Sequence, residues 1–185
     1  VYYEKMSEYV GSIRNHQPII PGENLSTAEV YNHDVYYKGA YFMHSLMHVM
    51  GRPVFLEAIR SFAEANRYSY TSTDAFIAHF DTYTSHKLRP LFDLYLYDVR
   101  LPEFSLTLQR EGTGGEASRY LLELKNAEEL QQAHGEALAF PLEIQTFRGI
   151  EQHTLGAEPI VIESATPPVV DPAAWYLRAG MDFLE

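Results

Sequence analysis

The 185-residue sequence contains no cysteine, and no apolar run comes near the ~18 residues that a membrane-spanning helix needs. The first absence excludes a disulfide scaffold and a zinc site with cysteine ligands, but it leaves open a cytoplasmic, periplasmic or secreted location. The second absence predicts a soluble protein without a membrane-spanning segment.

Positive charge is also scarce, because 14 lysines and arginines stand against 25 aspartates and glutamates, and the formal net charge is -11. A negative field of this size repels the phosphates of nucleic acids, so we expect no nucleic-acid partner. Apolar residues make up 46% of the sequence, which is enough for one large domain or two small ones.

The sequence starts at Val1, without an initiator methionine, and enters an amphipathic pattern at once. Aromatic and apolar side chains recur there at steps of four and three residues, at Tyr2, Met6, Tyr9 and Ile13. This spacing predicts a helix that ends near Arg14. We expect a chain that begins inside such a pattern to be a fragment of a longer protein, although processing or tag removal gives the same start.

Further helices are predicted before residue 101. Residues 32–34 offer capping side chains for a helix that runs to Met50, Gly51 ends it, and Pro53 opens the next helix. Ser72 or Thr73 can cap a fourth helix around residues 76–80, and residues 88–97 can form a fifth.

After residue 101 the period of the apolar residues changes from about 3.6 to 2, which indicates β-strands. The alternation covers residues 104–108, 138–144 and 160–162, and further strands are predicted at 120–124, 147–155 and 175–177. Residues 112–115 provide a flexible hairpin tip. The fold class predicted is therefore α+β, with an all-helical region over residues 1–101 and a small immunoglobulin-like β-sandwich over residues 102–185.

Two histidines, His44 and His48, have the i and i+4 spacing of the zinc ligands in a zincin helix. Such a helix needs Glu directly after the first His as the general base, and Ser45 stands there. We therefore interpret both histidines as helix-packing residues and predict no metal ligand in this chain.

Four ordered segments carry a resemblance to a known family. Residues 36–40 read Tyr-Tyr-Lys-Gly-Ala, residues 50–55 read Met-Gly-Arg-Pro-Val-Phe, residues 68–76 end on Thr-Ser-Thr-Asp-Ala-Phe, and residues 88–103 close on Leu-Pro-Glu. This order resembles the aminopeptidase N-like zinc metallopeptidases, which are gluzincins. The resemblance implies that the helices are the end of a thermolysin-like catalytic domain. More weakly, residues 140–142 and 169–175 resemble the β-sandwich that follows it.

The resemblance gives Tyr36 a catalytic role, because the tyrosine of this motif donates a hydrogen bond to the oxyanion of the tetrahedral intermediate. A phenol with a pKa of about 10 is a neutral donor at working pH, and such a donor is worth roughly 2.7–4 kcal/mol. Tyr31 matches a second tyrosine near the active site of some members. The alternative for Tyr36 is an aromatic residue that anchors the start of a helix.

Neighbouring residues are expected to have supporting roles. Lys38 can complete a charge pair, and Gly39 can permit close helix packing. Asp34, Asp74 and Asp93 have the spacing of helix caps and exposed helix faces, so no catalytic carboxylate pair is predicted among them.

The family's zinc-binding motif, His-Glu-x-x-His with a downstream Glu, does not occur in this sequence. The resemblance implies that zinc is bound in the full-length protein by ligands outside this chain, and that the isolated chain is inactive. Its implied partners are a peptide substrate, bound by the full-length enzyme, and the N-terminal remainder of the same protein.

Two other interpretations stay open. The chain can be a non-catalytic protein-interaction module, or it can belong to a glycyl-aminopeptidase-like gluzincin, which shares the Tyr-x-Lys-Gly motif. The Leu-Pro-Glu closure at residues 101–103 and the predicted sandwich favour an aminopeptidase N-like protein. The upstream sequence distinguishes an enzyme from an interaction module.

Overall fold

A computed structural model of the protein describes residues 10–21, 26, 30–113 and 117–184. Residues 10–12 are helical, as predicted for the end of the first helix, whereas residues 1–9 of that prediction lie outside the described residues. The helical elements that follow are α1 (His33–Met50), α2 (Arg52–Ala65), α3 (Thr73–Asp81), α4 (Arg89–Phe92) and a π-helical turn (Asp93–Tyr97). In the described residues no helix is long and apolar enough to cross a membrane.

Local capping chemistry explains where these helices begin and end. The Asn32 side chain accepts a hydrogen bond from the Asp34 N–H at 2.8 Å and caps α1. Gly51 has a φ of 78°, which suits glycine, and separates α1 from α2. The Ser72 hydroxyl accepts from the Ala75 N–H at 3.1 Å and caps α3. The predicted ends of these helices are thus confirmed.

The strands of the described residues form two sheets, and a helix, α5 (Ala127–His134), lies between the second and third strands in the sequence. The strands are β1 (Glu103–Arg110), β2 (Ser118–Leu124), β3 (Phe140–Thr146), β4 (Gly149–Leu155), β5 (Ile160–Ser164), β6 (Val169–Val170) and β7 (Gly180–Leu184). The first sheet has the order β5-β2-β1-β7 and the second the order β4-β3-β6. Pairing is antiparallel except between β1 and β7, which are parallel.

The core of the sandwich follows from the alternation of apolar residues along its strands. Across β1 and β2, Phe104 pairs with Leu124. The side chains of Phe104, Leu106 and Leu122 are buried on the face of the first sheet that meets the second. The rings of Phe104 and Phe140 meet edge to face at 5.9 Å, which joins the two sheets. Helices followed by a β-sandwich confirm the predicted α+β class, while the division into two domains stays a prediction.

The second half differs from the prediction in four places. Residues 175–177, which are predicted as a strand, form no strand. They belong to a loop, and their backbone groups make their hydrogen bonds outside the two sheets. Conversely, β6, β7 and α5 were not predicted. Strand β6 has only two residues and shows no alternation, and Gly180 and the charged residues around Leu130 hide the patterns of β7 and α5. The predicted hairpin tip at residues 112–115 lies partly outside the described residues.

Residues 171–177 form a loop, called here the 171–177 loop, that fastens the sandwich to α1. The Tyr41 hydroxyl donates to the Ala174 carbonyl, and the Ser45 hydroxyl donates to the Trp175 carbonyl at 2.6 Å. From the π-helical turn, the Tyr95 hydroxyl donates to a third carbonyl of the loop at 2.8 Å. Because these carbonyls bond to side chains of the helical region, they are not available to a sheet.

The 171–177 loop is also held from within by Asp171, a buried residue whose φ of 54° lies in the left-handed region. Its carboxylate accepts from the N–H groups of Trp175 at 2.8 Å and Tyr176 at 3.2 Å, and from Arg178 at 3.2 Å. Burial raises the pKa of Asp171, although these donors act in the opposite direction. The Asp171 carboxylate therefore fixes the conformation of the 171–177 loop, which contacts α1.

Candidate active site

Tyr36 lies in the first turns of α1, and its hydroxyl shares a hydrogen bond with the hydroxyl of Tyr31. The two rings stand perpendicular, with centroids 5.6 Å apart. Tyr36 is 54% exposed and Tyr31 66%, so both phenols face outward from the described residues. The hydrogen bond with Tyr31, followed by desolvation, raises the pKa of Tyr36, which keeps this phenol neutral at physiological pH.

The side of α1 opposite Tyr36 carries two buried charged residues, Asp34 and Lys38, one helical turn apart. The Asp34 carboxylate accepts hydrogen bonds from the backbone N–H groups of Arg14 at 2.9 Å and Asn15 at 2.7 Å. The expectation that Asp34 lies on an exposed face is therefore wrong, because its side chain is buried and bonded to these backbone donors.

Lys38 has no exposed surface, and its ammonium donates to the Asp98 carbonyl oxygen at 2.8 Å. Burial lowers the pKa of Lys38 to about 8, although the negative charges of Asp34 and Asp98 partly oppose this shift. The expected charge pair thus takes a different form: a buried ammonium bonded to a main-chain oxygen near two carboxylates.

The segment around Asp98, whose carbonyl binds Lys38, is ordered by the carboxylate of Asp98. Asp98 accepts from the N–H groups of Val99 at 2.7 Å and Arg100 at 3.0 Å, and it pairs with the Arg100 guanidinium at 2.6 Å. Burial raises the pKa of Asp98, but the N–H groups and the guanidinium lower it more, so the net shift is downward. An amide nitrogen of Asn15 also donates to the Val99 carbonyl at 2.6 Å, which links this segment to the residues that Asp34 holds.

Gly39 shares a face of α1 with Tyr36 and borders an apolar cavity of about 460 Å³. A methyl group at Gly39 would meet no atom of the described residues within 4 Å, so the expectation of close helix packing at this position is wrong within that part of the chain. Four of its ten lining residues are phenylalanines, among them Phe42, Phe62 and Phe76. The face that carries Tyr36 is therefore open beyond its first turn.

His44 and His48 both stack on Trp175, with ring centroids 4.4 Å and 4.6 Å from the indole. Nε2 of His48 also hydrogen-bonds to the Pro141 carbonyl at 3.0 Å, and burial lowers the pKa of His44. Their interpretation as packing residues is confirmed. Within residues 10–21, 26, 30–113 and 117–184, no three His, Asp or Glu side chains are grouped to hold a metal, so these residues do not fit a zinc ion.

Two other acids mentioned in the sequence analysis pair with one arginine at the surface. Arg89 contacts Asp93 at 2.8 Å and Asp74 at 3.2 Å, and both Arg89 and Asp74 are largely exposed. Exposed pairs of this kind contribute about 0–1 kcal/mol, which agrees with a structural role on helix faces.

A family model described as the peptidase family M1 domain matches residues 3–95. The match covers half of the chain and contains Tyr31, Tyr36 and the whole of α1. The chain therefore belongs to peptidase family M1, which confirms the resemblance drawn from its ordered segments. A search of curated proteins finds no match.

Among solved structures, the aminopeptidase A of Legionella pneumophila, determined in complex with aspartic acid, is similar with a TM-score of 0.64. The sequences are 15% identical, and the similarity covers 88% of this chain, including residues of the β-sandwich beyond the family match. At this identity the likeness shows a shared fold. This chain spans 19% of the length of the Legionella enzyme.

The motif identifies Tyr31 and Tyr36, and the structure brings their hydroxyls together. Asp98 was missed by sequence reasoning, since it lies 60 residues beyond Lys38 and contributes a main-chain oxygen. The one available indication was Lys38 itself, a charged residue on the apolar side of a helix. Such a residue needs a polar partner somewhere in the fold.

Proposed function

We propose that this chain forms part of the active site of a zinc-dependent aminopeptidase, which removes N-terminal residues from peptides. Tyr36 donates a hydrogen bond to the oxyanion that forms when water attacks the scissile carbonyl. The observation that carries this proposal is the exposed pair of phenols at the start of α1, in a chain of peptidase family M1. A catalytic donor needs exposure, whereas an aromatic anchor of a helix is normally covered.

The hydrogen bond between the phenols gives each tyrosine a role. When the Tyr31 hydroxyl donates to the Tyr36 oxygen, the Tyr36 proton is left for the substrate. A phenol, with an unperturbed pKa of about 10, keeps that proton at neutral pH. Tyr31 thus orients the phenol of Tyr36, and the Tyr36 hydroxyl is the donor to the oxyanion. One such donor stabilises the transition state by roughly 2.7–4 kcal/mol.

The remaining parts of the reaction centre are proposed to lie in the rest of the protein. The described residues do not fit a zinc ion, so the zinc ligands and the general base come from outside this chain. The outward direction of both phenols supports a cleft between α1 and that remainder, with the peptide substrate bound in the cleft.

The test is a Tyr36→Phe substitution in the intact protein. We expect kcat to fall by about 10²–10³-fold with little change in KM, because the hydroxyl acts on the transition state and not on the bound substrate. Tyr70→Phe, which removes the hydroxyl of a fully exposed tyrosine, should leave both constants unchanged. An undiminished kcat in Tyr36→Phe would refute the assignment.

A second experiment tests the division of labour between this chain and the remainder. The purified 185-residue chain, supplied with zinc, should not hydrolyse aminoacyl anilides, because the ligands and the base are missing. Detectable hydrolysis would overturn the proposal that they lie elsewhere. A His-Glu-x-x-His motif in the upstream sequence is expected, and its absence would favour an interaction module.

A further inference from the structure

The anchors of α1 lie on the side away from the exposed phenols. Asp34 and Lys38 stand two residues before and two residues after Tyr36, so at 100° per residue both point roughly opposite to it. Both are buried, whereas Tyr36 is 54% exposed. The helix is therefore held by buried contacts on the side opposite Tyr36, at the same level along its axis.

These anchors tie three segments together that are distant in the sequence. Asp34 holds the backbone of residues 14 and 15, and Lys38 holds the carbonyl of Asp98. Asn15 closes the triangle through the Val99 carbonyl at 2.6 Å. Since each contact joins a side chain to backbone atoms, the network fixes the position of the main chain as well as that of the side chains.

A buried lysine is a poor choice for stability alone. Removing an ammonium from water is costly, and an apolar residue of similar volume at the same place is often as good or better. A buried polar contact does, however, select one arrangement of the elements it joins. The rotation of α1 about its axis is such an arrangement, and a rotation of one residue would turn the phenol by about 100°.

We propose that Lys38, with Asp34 beside it, is a positioning residue that fixes the rotation of α1 and thereby the direction of the Tyr36 hydroxyl. The charged groups around its ammonium are Asp34, from the same helix, and Asp98, from the segment after the π-helical turn. This inference rests on the proposed function of Tyr36. Lys38 touches no reacting atom in it and acts through Tyr36 alone.

A double-mutant cycle in the intact protein tests this role. Lys38→Met keeps an unbranched side chain that is shorter only by the terminal nitrogen, and it removes the donor; it should lower kcat by about 10–100-fold with KM unchanged, as expected for a misplaced donor. In a Tyr36→Phe background the same substitution should have little further effect on kcat, because the group that it positions is already gone. Lys87→Met, at a lysine that is 80% exposed, is the matched control and should leave kcat unchanged.

Asp34→Asn runs the same cycle in a variant that keeps the buried volume, and it should cause a smaller loss of kcat that also disappears in the Tyr36→Phe background. Equal losses in both backgrounds, or an unchanged kcat in both Lys38→Met and Asp34→Asn, would overturn the positioning role while Tyr36→Phe alone still reports on the proposed function. An undiminished kcat in Tyr36→Phe alone would overturn both.

Discussion

One face of α1 is held by hydrogen bonds and stacked rings from the sandwich, whereas the face that carries Tyr36 borders an open cavity. On the packed face, Tyr41 and Ser45 bond to the 171–177 loop and His44 stacks on Trp175. On the open face, Tyr36 is exposed and Gly39 has no described neighbour within 4 Å of an added methyl group. The difference indicates that the packed face secures the helix, while the described residues leave the open face largely uncovered.

The largest expected effect on stability is at the centre of the packed face. Trp175→Ala removes the indole that stacks on His44 and His48 and that donates to Glu143 at 2.9 Å. We expect a loss of about 3–5 kcal/mol in the free energy of unfolding, measured by denaturant titration. Phe147→Ala, at an aromatic residue that is 52% exposed, is the control with a much smaller loss. Equal losses would show that Trp175 does not hold the packed face.

A single hydroxyl on the same face should have the next effect. Ser45→Ala leaves the Trp175 carbonyl without the donor that now lies 2.6 Å away. Loss of the bond and the unsatisfied acceptor together cost about 1–3 kcal/mol. Ser69→Ala, at an exposed hydroxyl in the turn after α2, should change the stability far less. A neutral Ser45→Ala would mean that the loop does not depend on this bond.

The pH dependence of stability reports on the buried anchor behind the open face. The pKa of Lys38 is about 8 in the folded chain and 10.5 when unperturbed, so between these values the unfolded state binds more protons and stability rises with pH. The gain is at most about 1.4 kcal/mol per pH unit. The rise in stability should be visible from pH 8 to 10. Above pH 10 it is offset, because tyrosines of the unfolded chain ionise there, whereas the buried Tyr41, whose pKa burial raises to about 12, is still protonated. Lys38→Met should lack the rise, and a rise that persists in this variant would contradict the assignment.

The smallest effect is expected on the open face, and it has the opposite sign. Gly39→Ala adds a methyl group that meets no described atom, in the interior of a helix where glycine is unfavourable. The 185-residue chain should gain about 0.5–1 kcal/mol of stability in thermal or denaturant unfolding. Phe42→Ala, at a buried position of the same helix, is the contrasting substitution and should destabilise. A loss of stability in Gly39→Ala would show that this face is covered.

Much of the helical region could be predicted from the sequence because its boundaries are set by neighbouring residues. Asn32, Gly51 and Ser72 act within one turn of their own position, so the pattern that predicts a cap is the same pattern that forms it. Strand β3 was equally predictable, since one side of it is buried and its burial alternates along the whole strand. The apolar residues of β1 also alternate in the sequence, although Ser105 between them is buried as well.

The errors at residues 175–177 and at Asp34 have one physical cause, which is contact between distant residues. Residues 175–177 are aromatic and apolar, as in a strand, but Asp171 takes their N–H groups and α1 takes carbonyls of the loop. Asp34 has the sequence position of an exposed capping residue, yet it is buried and accepts hydrogen bonds from the distant N–H groups of Arg14 and Asn15. The motif points to Tyr31 and Tyr36, but it does not predict the contacts that hold them in place.

The 171–177 loop also has a consequence for how the chain folds. Its bonds to α1 join residues 133 and 130 positions apart, for Tyr41 with Ala174 and for Ser45 with Trp175. Contacts of such high sequence separation form late, because the entropy of the long intervening segment is lost before they contribute. They also link α1 to the segment that leads into β7, the last strand of the described residues. We therefore expect the helices and the sandwich to melt in a single cooperative transition, rather than as two units with separate midpoints.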